Sequence, residues 1–150
     1  MTSDDLRGQL EIRDLAARFT DAVNRRAPKE VAVLFTQDGA WHVPGVPSAV
    51  GHEAIGDLLA GLLTNFTRLI QLTHSGHVDV SGSTATATWY ITERGADSAG
   101  DTFEFTGVYT DRLVRAEQDG WRFVERSFGF LHRKGVGKER WYPHPNVVAD

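Results

Sequence analysis

The spacing of apolar residues changes at Arg68, and this change constrains the fold more than any other feature of the chain. Before Arg68, apolar residues recur at intervals of three and four, as in amphipathic helices. After it, apolar and polar residues alternate, as in half-buried strands. Helices followed by a run of long strands predict an α+β fold, with the helices packed on one face of an antiparallel sheet.

Three helices are predicted in the first part of the chain. The first runs from Leu6 to Asn24, and Pro28 is well placed as the first residue of a short second helix that continues to Phe35. The third opens at Gly51. The apolar stripe of the first helix consists of Ile12, Leu15, Ala16, Phe19, Ala22 and Val23.

After a short strand at 40–43, long strands are predicted at 68–80, 84–94, 103–113 and 121–130. The Asp119-Gly120 turn joins the last two as a hairpin. A curved sheet with helices across its concave side encloses space for a small ligand. The sequence therefore predicts a cone-shaped α+β barrel, with three N-terminal helices on a strongly curved, mostly antiparallel sheet.

The first long strand contains a histidine of chemical interest, His74. Alternation places His74 on a face with Ile70, Leu72, Gly76, Val78 and Val80. Because apolar residues mark this as the core face, His74 is predicted to point inward. An imidazole titrates near pH 6.5, so a partly buried one is either an interior hydrogen-bond partner or an acid–base group in a pocket. Gly76 leaves room for a bulge, a bend or a ligand.

Length and charge narrow the classes of function. The 150 residues suit a single domain, 1–150, and a net charge of −4 without a basic stripe disfavours nucleic acid as a partner. The absence of cysteine excludes thiolate chemistry and cysteine-ligated zinc. The N-terminus is polar and acidic after Met1, and no segment approaches the ~20 apolar residues of a membrane helix. We expect a cytoplasmic protein without a membrane partner.

Several short motifs occur in a characteristic order. They are Leu34–Trp41, Gly51–Ile55, Thr73-His74, Gly107–Asp111, Gly120–Arg122 and Arg126. Their order and spacing resemble the SnoaL-like branch of the nuclear-transport-factor-2-like superfamily, over roughly residues 8–132. The resemblance implies the cone fold and leaves the activity open, because this fold hosts lyases, isomerases, hydrolases, cyclases and non-enzymes.

Within that superfamily, the most similar catalytic pattern is that of scytalone dehydratase and hexachlorocyclohexane dehydrochlorinase. In those enzymes a strand His removes a proton during an elimination and pairs with an Asp at the end of the first helix. The resemblance implies that His74 is the base and places Asn24 at the Asp position. The oxygen of Asn24 can accept a hydrogen bond from an imidazole, or the residue is a helix C-cap. Tyr109 either orients a substrate oxygen or packs in the core.

Further candidates for substrate contact lie on the strands: Trp41, Val43, Trp89, Phe105, Arg126 and Phe128. Val43 falls where ketosteroid isomerases have their basic Asp, so that pattern is disfavoured. Arg126 either pairs across strands with Asp111 or meets an anionic substrate at the pocket mouth. A spacing of three places His74 and His77 on opposite strand faces, so no metal site is predicted.

Two hypotheses of function follow. The first is a cofactor-independent enzyme, a lyase or isomerase, which eliminates, isomerises or cyclises a hydrophobic cyclic or polyketide-like substrate. The second is a binding or accessory protein of the same fold, which Asn24 favours. The polar, β-branched face of Thr84, Thr86, Thr88 and Tyr90, with His77 on the neighbouring strand, favours association into a homodimer, as the resemblance also implies; the alternative is a solvated outer sheet face. The tail 133–150 is expected to cover the pocket mouth, and the alternatives are packing on a partner subunit or fraying.

Overall fold

The computed structural model describes residues 1–135 and 137–147. Three helices, α1 (Ser3–Asn24), α2 (Pro28–Ala32) and α3 (His52–Thr64), pack on a curved, mostly antiparallel sheet. The strands are β1 (Phe35–His42), β2 (Ala49–Val50), β3 (Arg68–Ser81), β4 (Thr84–Ala96), β5 (Thr102–Ala116), β6 (Gly120–Lys134) and β7 (Arg140–Trp141). The predicted α+β cone is confirmed. Within the described ranges, none of the helices has the length and apolarity needed to span a bilayer.

The sheet has the strand order β2-β1-β6-β5-β4-β3, and β7 pairs with β6 outside this path. β1 runs parallel to β6, whereas the other neighbouring pairs are antiparallel. β3 is therefore an edge strand. The predicted apolar stripe of α1 is buried against the inner face of the sheet.

Local signals explain two differences from the predicted helix boundaries. α1 begins at Ser3 because Thr2 and Asp5 form a capping box, in which each side chain binds the backbone N–H of the other. α2 ends at Ala32, and Phe35 opens β1 instead of closing a helix. Gly39 lies inside β1, at an irregularity where the pairing with β6 shifts register between Phe35 and Ala40.

β3 contains a β-bulge between Thr73 and Gly76. Thr73 lies opposite Ile91 and Gly76 lies opposite Trp89, so β3 has one residue more than β4 across this interval. A Cβ at Gly76 would overlap the Trp89 ring, so this close approach requires glycine. An extra residue shifts the two-residue alternation by one, and the two faces of β3 exchange at the bulge.

The prediction that His74 faces the core is therefore wrong. Upstream of the bulge, Gln71 is only 3% exposed, whereas Ile70 and Leu72 are 59% and 50% exposed. His74 lies on the outer face with them. It is exposed, and its Nε2 lies 2.7 Å from Oγ1 of the outward-facing Thr92.

The C-terminal tail takes a different course from the predicted one across the pocket mouth. After β7 the chain crosses the outer face of the sheet, where Nε2 of His144 lies 3.1 Å from the Tyr90 hydroxyl. Farther along, Nδ2 of Asn146 donates to Oγ1 of Thr110 at 3.4 Å. Only the start of the predicted 133–150 tail, from Arg133, lies at the pocket. Residues 136 and 148–150 lie outside the described residues.

Candidate functional site

A cavity of about 660 Å³ lies between the helices and the inner face of the sheet. This volume is within the range of about 300–1,000 Å³ that is usual for small-molecule pockets. Its aromatic lining consists of Trp41, Phe66, Phe103, Phe105, Tyr109, Phe128 and Phe130. Leucine side chains of α3 and the inward residues of β3 and β4 complete the apolar walls. The cavity therefore suits a hydrophobic molecule with a ring.

Glu93 is an acidic group in this largely apolar lining. It lies on the inner face of β4, two residues beyond Ile91, and directly opposite Gln71 of β3. Nε2 of Gln71 donates to Oε2 of Glu93 at 3.0 Å. Burial raises the pKa of Glu93 to about 7, and the hydrogen bond from Gln71 partly opposes this rise. At neutral pH both protonation states are populated, as general acid–base catalysis requires.

The side-chain amide of Gln71 is oriented by the hydroxyl of Thr20, which in turn contacts the hydroxyl of Thr73. Oγ1 of Thr20 donates to Oε1 of Gln71 at 3.4 Å and lies 2.6 Å from Oγ1 of Thr73. Since Oε1 accepts from Thr20, the donor Nε2 is the atom turned toward Glu93. The chain thus fixes the orientation of the group that contacts the titrating carboxyl.

Asn24 binds the backbone of the same strand. The N–H of Gln71 donates to Oδ1 of Asn24 at 2.7 Å, and Nδ2 of Asn24 donates to the carbonyl of Gln71 at 2.8 Å. Because β3 is an edge strand, this amide satisfies its free backbone groups as a further strand would. A carboxylate could not make the second bond, which explains why Asn suits this position. The predicted pairing of Asn24 with His74 is therefore wrong.

Tyr109 and Trp41 are neighbouring polar side chains in the cavity lining. Tyr109 is buried, and burial raises its pKa, so the phenol keeps its proton at neutral pH. Nε1 of Trp41 is buried without a hydrogen-bond partner of good geometry among the described residues. It nevertheless lies close enough to Tyr109 to lower the pKa of that phenol. The Trp41 and Tyr109 side chains therefore lie side by side in the cavity lining.

The structure brings five of the predicted site residues to the cavity and leaves four elsewhere. The five at the wall are Trp41, Val43, Phe105, Tyr109 and Phe128. Trp89 is in the core beside the bulge instead of at the wall, because it packs under Gly76.

Arg126 does not reach the pocket mouth. It is 1% exposed, and its Nε donates to Oδ1 of Asp111 at 2.9 Å, which confirms the cross-strand alternative. Its guanidinium Cζ lies 3.9 Å from the centroid of the Tyr109 ring. Arg126 therefore packs against the ring of Tyr109, which lines the cavity, and is not free to bind a substrate anion.

Sequence reasoning missed Glu93 and Gln71. Glu93 follows Trp89 and Ile91 at two-residue spacing, so alternation along β4 places it on the same face as these apolar residues. A carboxylate on an apolar face was the available signal in the sequence. Uninterrupted alternation along β3 places Gln71 on the outer face, and only the bulge brings it inward. Within the described residues, no group of three or more His, Asp or Glu is arranged to hold a metal ion.

Solved structures share this fold. A Novosphingobium aromaticivorans protein proposed to be an aromatic ring hydroxylase is 24% identical, with a TM-score of 0.81, over 87% of this chain and 94% of that one. A type 2 hexachlorocyclohexane dehydrochlorinase is 18% identical, with a TM-score of 0.78, over 92% and 94%. A proposed scytalone dehydratase from Novosphingobium aromaticivorans is 18% identical, with a TM-score of 0.78, over 92% and 93%.

These identities are low, so the likeness to solved structures concerns the fold. A search of curated proteins found no significant match. The model of the SnoaL-like domain matches residues 4–127, which is most of the chain. The match confirms the resemblance drawn from the motifs: the chain belongs to the SnoaL-like domain family.

Proposed function

We propose that this protein is a cofactor-independent enzyme that uses Glu93 as a general acid–base on a hydrophobic, ring-containing small molecule. One observation carries the proposal: a carboxyl with a pKa of about 7 lines an apolar cavity, with an uncharged amide as its hydrogen-bond partner. Structural carboxylates are usually paired with cations, whereas a carboxyl tuned to neutral pH suits proton transfer. Glu93 takes the role that the resemblance implied for His74.

The reaction class that suits such a group is proton transfer at carbon. The Glu93 carboxylate removes a proton from a substrate carbon, and the C–H electron pair forms a new double bond. In an elimination the leaving group departs with its bonding electron pair. In an isomerisation, protonated Glu93 returns the proton to a different carbon. Two structural neighbours bear the names of a dehydrochlorinase and a scytalone dehydratase, which supports an elimination.

The Tyr109 phenol, with Trp41 beside it, stabilises the charge that develops on the substrate. Removal of a proton beside a carbonyl group places negative charge on the carbonyl oxygen, and preorganised donors in a dry site lower the energy of that state. The phenol of Tyr109 stays protonated, and the indole N–H of Trp41 is buried beside it. The phenol is the donor that suits an enolate-like oxygen, and the indole N–H beside it makes the phenol more acidic.

Deuterium exchange into simple ketones tests the proposal, and it does not require that the natural substrate be identified. A panel of cyclic ketones is incubated with the protein in D₂O, and NMR follows the loss of the acidic C–H signal. Glu93→Gln keeps the volume and the bond to Gln71 but cannot accept a proton, so exchange should slow by about 10²–10⁴-fold. Glu53→Gln, an exposed change on α3, is the matched control and should leave exchange unchanged.

The binding alternative makes the opposite prediction. If the protein only holds a ligand, as the backbone-bound Asn24 in place of a carboxylate suggests, Glu93→Gln should leave both ligand affinity and any exchange unaltered. Equal exchange rates in the two proteins would therefore remove the catalytic role and keep the cavity as a binding site.

The homodimer stays a prediction. Ile70 and Leu72 are large apolar side chains exposed on the outer sheet face, and this exposure supports association there. Tyr90, which was expected to belong to that surface, already contacts His144 of the tail. Light scattering distinguishes a 16.6 kDa monomer from a particle of twice that mass.

A further inference from the structure

The region where β6 meets β7 forms a basic hollow beside the large cavity. We propose that Arg133, Lys138 and Arg140 form an anion-binding subsite there, so that the ligand carries a carboxylate, sulfonate or phosphate next to its apolar body. The inference deepens the proposed function and rests on the cavity being a ligand site.

The hollow has a volume of about 130 Å³ and is lined by Arg133, Gly137, Lys138, Arg140 and Tyr142. This volume is large enough for a group the size of a sulfonate or phosphate. Arg133 lines both the hollow and the large cavity. Arg133 is therefore the residue at which the hollow and the cavity adjoin.

The charges in the hollow are unbalanced. Arg133 and Arg140 lie directly opposite each other on β6 and β7, and like charges in such pairs repel. Over residues 1–135 and 137–147, neither they nor Lys138 forms an ion pair with a carboxylate. The nearby Glu139 is already bound to His132 at 2.7 Å. An anion between the cations would relieve this repulsion, in a chain whose net charge is −4.

The subsite is continuous with the apolar wall. The guanidinium Cζ of Arg133 lies 4.4 Å from the centroid of the Phe130 ring. Phe130 packs edge-on against Phe105 and Phe128 of the cavity, at centroid distances of 5.1 and 5.0 Å. An anionic group bound to Arg133 would therefore be separated by about the width of the Phe130 ring from a ligand ring packed against Phe105 and Phe128. Glu104, an acidic residue in the lining of the large cavity, is paired with Arg94, whose Nε lies 3.7 Å from its Oε2.

A matched pair of fluorescent probes tests this inference. 8-Anilinonaphthalene-1-sulfonate has an aromatic body and one sulfonate, and N-phenyl-1-naphthylamine is the same body without the sulfonate. Both should bind the protein, and the sulfonate should bind about tenfold more tightly, as expected for charge-assisted hydrogen bonds. Raising the salt concentration should weaken the sulfonate and leave the neutral probe nearly unaffected.

The variant that separates the sites is Lys138→Ala combined with Arg140→Ala, because neither residue lines the large cavity. It should lose about tenfold in affinity for the sulfonate and nothing for the neutral probe. Arg7→Ala combined with Arg18→Ala removes two exposed cations of α1 and gives the same net charge. This matched control should bind both probes as the unmodified protein does.

The possible failures are distinguishable. If both probes bind but the Lys138/Arg140 variant keeps the full sulfonate affinity, the anion subsite is wrong and the proposed function stands. If neither probe binds, the cavity is not a ligand site, and both proposals fall. Equal sulfonate losses in the variant and in the α1 control would mean that only overall charge matters, which also overturns the subsite.

Discussion

The inner face of the sheet buries two carboxyl groups and gives them different neighbours. Asp111 is fully buried, and Nε and Nη2 of Arg126 donate to its two oxygens at 2.9 and 3.4 Å. Glu93 lines the cavity and accepts from the uncharged amide of Gln71. Burial raises the pKa of both groups, but a full positive charge opposes the rise at Asp111 and only an amide opposes it at Glu93.

The surroundings of the two sites complete this contrast. The Arg126 guanidinium lies over the rings of Phe19, Tyr109 and Phe123, with Cζ 4.2, 3.9 and 4.5 Å from their centroids. That ion pair is satisfied within the core and has no access to a ligand. The acid that is paired with a cation holds the fold together, and the acid that faces the cavity is free to exchange a proton.

Arg126→Met should have the largest effect on stability. It leaves the Asp111 carboxylate buried without its counter-charge and removes a cation from three aromatic faces, so the free energy of unfolding should fall by about 3–5 kcal/mol. Urea unfolding measures this loss. Adding Asp111→Leu to the same chain should recover part of it, because the uncompensated charge is then gone. A loss below about 1 kcal/mol would show that Asp111 is protonated in the folded protein.

The pH dependence of the free energy of unfolding should reveal the raised pKa of Glu93. The pKa of Glu93 is raised in the folded state, from an ordinary value of 4.5 to about 7. The folded state therefore binds more protons than the unfolded one in this window, and stability falls as the pH rises through it. At pH 8 the contribution of Glu93 to the free energy of unfolding should be lower than at pH 4 by on the order of 3 kcal/mol.

Glu93→Gln should remove that loss. The variant should be more stable than the unmodified protein at pH 8 and no more stable at pH 4, as measured by urea unfolding at both values. The contribution of Asp111 is the same in both proteins and cancels in the comparison. Parallel pH profiles for the two proteins would mean that Glu93 has an ordinary pKa, and its assignment as the acid–base group would have to be abandoned.

The sequence predicted the helices and strands well because their signals are periodic and local. The α1 stripe around Phe19 is buried as predicted. The error at His74 has a different origin, because the extra residue in β3 is determined by how Gly76 meets Trp89 on the neighbouring strand. Alternation along one strand cannot show where an extra residue interrupts its pairing with the next strand. The predicted inner and outer faces of β3 are therefore correct after the bulge and reversed before it.

The site was harder to predict than the fold for the same reason. Tyr109 was found because β5 pairs with β4 in an unbroken register, whereas Phe128 lies on β6 between two register shifts against β5. Gln71 could not be found until the bulge was placed, although Glu93 was visible as a charge in an apolar register. The course of the tail depends on long-range contacts, such as those of His144 with Tyr90 and of Asn146 with Thr110, for which the sequence contains no periodic signal.

The smallest predicted effect concerns how Gln71 tunes Glu93. Its amide N–H lowers the pKa of Glu93, so Gln71→Leu should raise that pKa further above 7. Thr20→Val removes only the hydroxyl that orients the amide, and its shift should be smaller and in the same direction. NMR titration of the Glu93 carboxyl carbon measures both, and Thr20→Ser, which keeps the hydroxyl, is the control. A pKa that falls in Gln71→Leu would show that burial by the amide, and not its hydrogen bond, dominates at this carboxyl.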